Sequence, residues 1–502
     1  MRNHFFIVSA VLLTGLVAAL VLHPGWHSWL LAALILPLVG WGLVDALQTS
    51  SNLRRTYPIF GSLSELLEKQ RHVVQEVLLL DRKEGRPFNW IQKEIAYKRA
   101  DDEHKSQPFG TQLDYGSVGR EWLAHSAFPA TAVEDDFRLL VGGAECDRPY
   151  SVSRLNIGGM SYGSISSHAT QALNGGAALG GFAHNTGEGG LTPHHEKFGG
   201  DLIFQIGTGY FGCRTEDGRF DPDRFAEIAE RETVKMVEIK ISQGAKPGYG
   251  AILPAKKNTE EIAAYRGVEA GTEVLSPPHH SAFEDADGLI AFIRQLRDLS
   301  GGKPIGIKLC LGTPEEFDSL AQAFHAADSL PDFITIDGGE GGTGAAHLDS
   351  LHWVGMPMAE ALHHAHQTLR RHGLRERTRL FAGGKILTSF DMAKVISLGA
   401  DACFSARGMM LALGCVQSLK CNLDTCPTGI TTMDPQRVRS LVVADKKVRV
   451  ANFHKNTLHG LRELLTAAGL RSLSELRKDR IYRRVSETEV RSFAEIYPDI
   501  YG

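Results

Sequence analysis

Between residues 153 and 408 one pattern repeats eight times: a short run of apolar and β-branched residues ends in glycine or a polar side chain, and a longer stretch follows. The runs are SRLNIGG (153–159), FAHNT (182–186), LIFQI (202–206), VKMVEIKIS (234–242), PIGIKLC (304–310), DFITIDG (332–338), RLFAGG (379–384) and ACFSARG (402–408). Each reads as a strand, and helical patterns such as EEFDSLAQAFHAA and FDMAKVISLG lie between several of them. Eight strands with intervening crossovers are what a (β/α)8 TIM barrel requires, so the expected class is α/β. The widest gap, 243–303, is too long for a bare crossover and opens with QGAKPGYGAILPAKKN. Such an insert is expected to leave the C-terminal end of strand four and overhang the face where barrel enzymes do chemistry.

The N-terminus has a different texture. FFIVSAVLLTGLVAALVL (5–22) and WLLAALILPLVGWGLV (29–44) carry no Lys, Arg, Asp or Glu, and each is about long enough to cross roughly 30 Å of hydrocarbon. Trp26 and Trp29 stand where an interfacial belt would place them, and Pro24-Gly25 supplies a turn, so a transmembrane helical hairpin over 1–50 is expected. Arg2 precedes the first run and Arg54-Arg55 follows the second, while the connecting loop has no Lys or Arg. The positive-inside rule then puts both ends in the cytoplasm, giving a multi-pass protein of the inner, cytoplasmic membrane. A signal peptide followed by an apolar stretch is the alternative.

Residues 51–145 read as a helical and irregular extension, with SLSELLEKQRHVVQEVLLL (62–80) at helical spacing after a serine suited to capping. The barrel is expected over 146–440 and a helical tail over 441–502. With 54 basic and 58 acidic side chains, the net charge of −4 argues against nucleic acid as a partner. Seven cysteines in 502 residues are too few for a disulfide scaffold and fit a reducing compartment.

Strands six to eight end in small residues: DGGEGGTGAA (337–346), AGGK (382–385) and SARG (405–408). Barrels bind phosphate with the loops after strands seven and eight, because glycine lets backbone N–H groups approach the oxygens. A phosphorylated cofactor is indicated. Lys308, in an otherwise apolar strand five, is expected to aim its ammonium into the barrel mouth, toward a flavin's N1/O2 edge or toward an inner-face acid. Three cysteines crowd into CVQSLKCNLDTCP (415–427), one too few for a four-thiolate zinc site. An iron–sulfur cluster, zinc completed by a distant histidine, and plain buried thiols are the available readings.

Six motifs in order, GGMSYGSIS (158–166), NTGEGG (185–190), IKISQGAKPG (239–248), DGGEGGTGAA, HQTLRRHGLRER (366–377) and LGCVQSLKCNLDTCPTGI (413–430), resemble the FMN-binding synthase domain of glutamate synthases over about 150–435. The chain shows neither the glutaminase domain nor the C-terminal β-helix of the large enzymes, so it is similar to the stand-alone, membrane-anchored branch. The resemblance implies FMN held by Gly159, Met160, Ser161, Gln205, Lys308, Gly338, Gly339, Gly342, Gly383, Gly384, Ala406 and Arg407. It implies a 3Fe-4S cluster on Cys415, Cys421 and Cys426. It further implies reductive amination of 2-oxoglutarate, through 2-iminoglutarate, to L-glutamate, an oxidoreductase reaction on the CH–NH2 group. Lys246 and Arg266 match positions that hold the substrate carboxylates, and Glu188 matches a glutamate at the reacting carbon. Glu188, Lys246 and Lys308 are therefore the expected catalytic residues, with ammonia or an amine as second substrate.

One departure bears on specificity. The family pattern GAKPGEGGQLPG reads GAKPGYGAILPA here, so Ile252 stands for a glutamine and Tyr249 for an acid. An N-alkylated glutamate, another 2-oxo acid, or a non-catalytic electron-transfer subunit at the membrane are the alternatives this leaves open. The histidine pairs at 194–195 and 279–280 and HHAH (363–366) lack the company of a metal motif and read as structural or solvated. Glycine-rich matches lack the strand–helix unit and acidic partner of a dinucleotide fold, so electrons are expected from a ferredoxin-like protein, a separate reductase or a membrane carrier. A barrel of the IMP dehydrogenase kind would need a cysteine in the loop after strand six, which has none. Assembly into a homo-oligomer is left open.

Overall fold

Eight parallel strands close on themselves: β1 (Leu155–Ile157), β2 (His184–Asn185), β3 (Leu202–Ile206), β4 (Val234–Lys240), β5 (Ile305–Leu309), β6 (Phe333–Asp337), β7 (Arg379–Gly383) and β8 (Ala402–Ser405). Each pairs with the next in sequence, and β8 returns to β1 with Ser405 opposite Ile157. All eight runs read from the sequence are strands. The structure is a computed structural model that describes residues 2–48, 52–64, 66, 84–103, 106–246, 250 and 252–500. Most of the helix expected over 62–80, and Tyr249, lie outside the described residues.

The crossover helices begin where the sequence supplies caps. Ser166 accepts from the Ala169 amide at the start of Ser167–Gly180, and Asp285 accepts from Gly288 N at the start of Ala286–Leu299. Thr388 and Asp391 form a capping box at Ser389–Ser397. Each satisfies amides that have no intrahelical partner and fixes where the chain turns back along the barrel. The N-terminal end of the barrel is closed by a hairpin, Arg138–Val141 paired with Tyr150–Ser153. Its Leu139, Val141 and Val152 pack on Ile203, Met236, Phe333 and Phe381 to form a dry floor.

The insert after β4 is structured: it holds a two-stranded ribbon, Ile252–Leu253 with Val274–Leu275, and the helix Glu260–Arg266. The C-terminal tail is mainly the 25-residue helix Val443–Ala467, which packs along Ser167–Gly180. It adds strands Ile481–Arg484 and Val490–Ser492, the first pairing with Glu121–Leu123 of the N-terminal extension.

The chain divides into two compact units, Met1–Asn89 and Trp90–Gly502. In the first, α1 (Arg2–Leu22) and α2 (Trp26–Leu47) are long and apolar enough to cross a membrane and leave side chains such as Val11, Val21, Trp29 and Leu34 exposed. Near the end of α2, the fully buried Asp45 carboxylate accepts from Arg54 (2.7 and 2.9 Å), Ser62 (2.6 Å) and the Ile59 amide (2.9 Å). Four hydrogen bonds to one carboxylate fold the following segment back onto the helix end.

Candidate active site and cysteine loop

Side chains alternate along a strand, so the positions of β2, β3, β4 and β6 that face inward form a layer across the barrel. That layer is polar. Glu238, fully buried, accepts from Asn185 Nδ2 (2.8 Å), Gln205 Nε2 (2.6 Å) and Thr335 Oγ1 (2.8 Å), which satisfies a carboxylate that burial would otherwise penalise. Above it, Lys240 and Lys308 lie opposite each other in the β4–β5 register. Each takes a different acid: Lys240 Nζ is 2.5 Å from Glu188 and 2.7 Å from Gln243, and Lys308 Nζ is 3.4 Å from Asp337.

Lys240, Lys308, Glu188, Gln243 and Asp337 line a cavity of about 80 Å³, open to solvent, at the C-terminal ends of the strands. Of the residues expected to hold the cofactor, Gly159, Ser161, Gln205, Lys308, Gly342, Gly383, Gly384, Ala406 and Arg407 line it. Met160, Gly338 and Gly339 do not. The amides of Gly338 and Gly339 are already given to Gly383 O (2.9 Å) and Met356 O (2.8 Å), so they are not phosphate donors in this arrangement. A Cβ on Gly159 would stand 2.9 Å from Oδ1 of Asn185, a side chain that Glu238 holds in place, whereas at Gly342 the near neighbour is the Arg407 side chain, which can move aside.

Burial alone would raise the Glu188 carboxyl, but Lys240 and Lys246 outweigh it and hold it at about 2. Lys308 is likewise opposed by burial, yet Asp337 and Glu238 keep its pKa above the ordinary lysine value. Lys246 differs: burial draws it down to about 8, against the pull of Glu188. Arg266, 2 % exposed, lies over the Phe211 ring with its Nη2 on Tyr162 O (2.9 Å). Its Nε has no partner, and among the described residues neither Arg266 nor Lys246 forms an ion pair within 4 Å. Lys246 and Arg266 do not line the cavity but lie near Glu188 at its edge, so with Lys240 three cations surround one carboxylate. Ile252 is half-buried on the ribbon, opposite Leu275.

The three cysteines follow the helix Arg407–Ala412 directly after β8. Tyr97 donates to Cys415 O at 2.6 Å and anchors the loop's start. Inside it, Gln417, Leu419 and Asp424 hold φ values of 56°, 54° and 60°. Three non-glycine residues in the left-handed region cost on the order of 1–3 kcal/mol each, so the surroundings impose this path. Among the described residues, no three His, Cys, Asp or Glu side chains converge tightly enough to hold a single metal ion. A cluster makes a different demand, because each thiolate takes its own iron and the sulfurs stand apart around a larger body.

The loop's chemistry fits such a body. Burial pushes the Cys415 thiol up to about 12 and raises Cys421; burial also works upward on Cys426, but hydrogen bonds from Thr428 and Thr431 bring it below the usual thiol value. Thr428 Oγ1 lies 3.4 Å from the Cys426 sulfur. The Thr431 hydroxyl is buried beside Cys421 and Cys426, where it acts on both sulfurs.

Sequence reasoning missed Lys240, Gln243, Asp337 and Lys385, which also line the mouth. Lys240 carried the same signal as Lys308, a cation ending an apolar strand. Of the histidines, His280 is buried and bonds Lys240 O (2.9 Å) and Tyr210 (3.1 Å), and His194 bonds Glu261 (2.8 Å).

The family described as a conserved region in glutamate synthase matches residues 132–471. The glutamate synthase large subunit-like protein YerD of Bacillus subtilis is 33% identical over 510 residues, which cover 92% of this chain and 96% of that protein. An archaeal-type NADPH glutamate synthase of Thermotoga neapolitana is 36% identical over 324 residues, 64% of this chain and 60% of its own length. Among solved structures, a mandelate oxidase mutant with a monooxide FMN adduct aligns with a TM-score of 0.45 and 14% identity, over 85% of this chain and 99% of the other.

Proposed function

The chain belongs to the glutamate synthase family, and we propose that it is an FMN-dependent oxidoreductase that reductively aminates 2-oxoglutarate to L-glutamate at the barrel mouth, with electrons entering through a 3Fe-4S cluster on Cys415, Cys421 and Cys426. The observation that carries this reading is the corner where Lys246 and Arg266 stand buried without an ion-pair partner among the described residues, beside a glycine-lined cavity. Three buried cations, Lys240, Lys246 and Arg266, around the single carboxylate of Glu188 call for an anion from outside.

Bound in the cavity, FMN supplies the hydride that reduces the imine carbon. Lys308, kept charged by Asp337, suits the edge of the flavin that gains negative charge on reduction, and Gln205 has its amide nitrogen fixed by Glu238 with its oxygen left for the ligand. Arg266 and Lys246 hold the two carboxylates of the 2-oxo acid. Glu188, at about 2, is a standing carboxylate that accepts hydrogen bonds from ammonia and orients its nitrogen toward the carbonyl. Lys246, near 8, is the group able to pass the two protons that leave the nitrogen to the carbonyl oxygen, so that it departs as water and the imine forms.

The hairpin of α1 and α2 serves as a membrane tether for a catalytic region on the cytoplasmic side, within a chain organised as hairpin (1–50), extension (51–145), barrel (146–440) and tail (441–502). Reduced protein supplied with 2-oxoglutarate and either ammonium or methylamine, followed by mass analysis, tests the reaction. L-glutamate from ammonium is the expected product. N-methylglutamate alone would move the reading to an amine-specific enzyme, and no turnover with any 2-oxo acid would leave an electron-transfer subunit.

A further inference from the structure

Lys257 is a buried charge beside the cysteine loop with no acid bonded to it among the described residues. It ends the short turn Ala255–Lys257 in the insert after β4, is 2 % exposed, and donates to two backbone oxygens only: Ser164 O at 2.6 Å and Cys421 O at 3.3 Å. Among the described residues no carboxylate lies within 4 Å of it. Asp424 is the acid in its neighbourhood, and that carboxylate turns its Oδ1 to the Met433 amide at 2.6 Å. Arg266, a second buried cation, adds repulsion from the other side. An ammonium held by carbonyls, beside another cation and away from water, needs a negative body nearby. The two loops it joins identify that body. Ser164 belongs to the loop after β1 that carries Gly159 and Ser161 of the cavity, and Cys421 is the middle cysteine of the loop after β8.

We propose that Lys257 is a positioning residue for electron transfer: its ammonium, bonded to both loops, sets the reduction potential of the cluster carried by the three cysteines and holds that cluster in register with the flavin side of the mouth. The inference rests on the iron–sulfur reading given above. A fixed positive charge favours the form with one more electron, so Lys257 raises the potential at which the cluster accepts it. Loss of the charge lowers that potential, and electrons pass less readily from an outside donor onto the cluster.

The test is an EPR-monitored redox titration of the full chain, purified anaerobically, with flavin absorbance read in the same samples. In Lys257→Met the ratio of oxidised to reduced cluster at fixed ambient potential is expected to rise at least about tenfold, which for one electron is about 59 mV. Lys257→Arg, which keeps the charge, is expected to stay within about twofold of the unsubstituted protein. A cluster kept in Lys257→Met at unchanged potential overturns the proposal. Loss of the cluster from Lys257→Met with retention at the native potential in Lys257→Arg supports it, and loss from both overturns the requirement for charge. Failure of the iron–sulfur reading itself is separate and seen first: the unsubstituted protein would then bind flavin and give no three-iron signal.

Discussion

The two ends of the barrel both bury an arginine, and they treat it in opposite ways. At the N-terminal end Arg297, 6 % exposed, is paired to Glu145, lies 3.1 Å from Asp332 and donates to Leu330 O at 3.2 Å. At the C-terminal end Arg266 is as deeply buried, with one carbonyl, one aromatic ring and, among the described residues, no acid within 4 Å. A charge answered by the protein's own acids orders the fold. A buried charge left without an acid is one that a counter-charge from outside can answer. Barrels separate stability and chemistry between their two faces, and here the separation is visible in the electrostatics.

Removing the answered charge is expected to have the largest effect on stability. Arg297→Met strands Asp332 in the interior and should cost about 3–5 kcal/mol by denaturant unfolding, with the KM for 2-oxoglutarate unchanged in the protein that remains folded. Arg266→Met should reverse the pattern. It relieves a buried cation, so unliganded stability stays level or rises, while kcat/KM falls by roughly 10²–10³, about 3–4 kcal/mol, and the thermal shift produced by 2-oxoglutarate disappears. Equal stability losses in both variants would erase the distinction between the two ends.

Lys246 sharpens the same comparison through pH. Burial sets its pKa at about 8, below the unfolded value, so the unfolded chain holds the extra proton between about 8 and the ordinary lysine range. Folding stability therefore gains as pH rises through that window, whereas affinity for a dicarboxylate is lost as the ammonium deprotonates. The kcat/KM profile should fall above about pH 8, and Lys246→Arg, which keeps the charge but does not release its proton, should lower kcat across the whole profile. A smaller effect is expected at Gly159→Ala, whose methyl would press on Asn185 and Gln205. Flavin content after purification should drop while the fold, read by circular dichroism, persists.

The barrel was legible because its strands are short, apolar and punctuated by glycine, and each run from SRLNIGG to ACFSARG became one of them. Lys308 was legible for a related reason, a single cation in an apolar strand. Local patterning does not report pairs made across the fold: Glu188 meets Lys240 from 52 positions away, and Glu238 gathers partners from three other strands. The insert after β4 hid its ribbon because two-residue strands leave no period to read. Lys257 was hidden with it, in a stretch whose Gly and Pro content reads as loop. The strands at 481–484 and 490–492 escaped notice since the first is paired to Glu121–Leu123, some 360 positions upstream.

The proposed chemistry at the mouth depends on a flavin and a cluster, and spectroscopy of the anaerobically purified chain reads them directly. The account predicts a flavin absorption band and, before any reductant is added, the low-temperature EPR signal of an oxidised three-iron cluster, with about three irons per flavin. Flavin without that signal, or zinc in place of iron on the three cysteines, would contradict it.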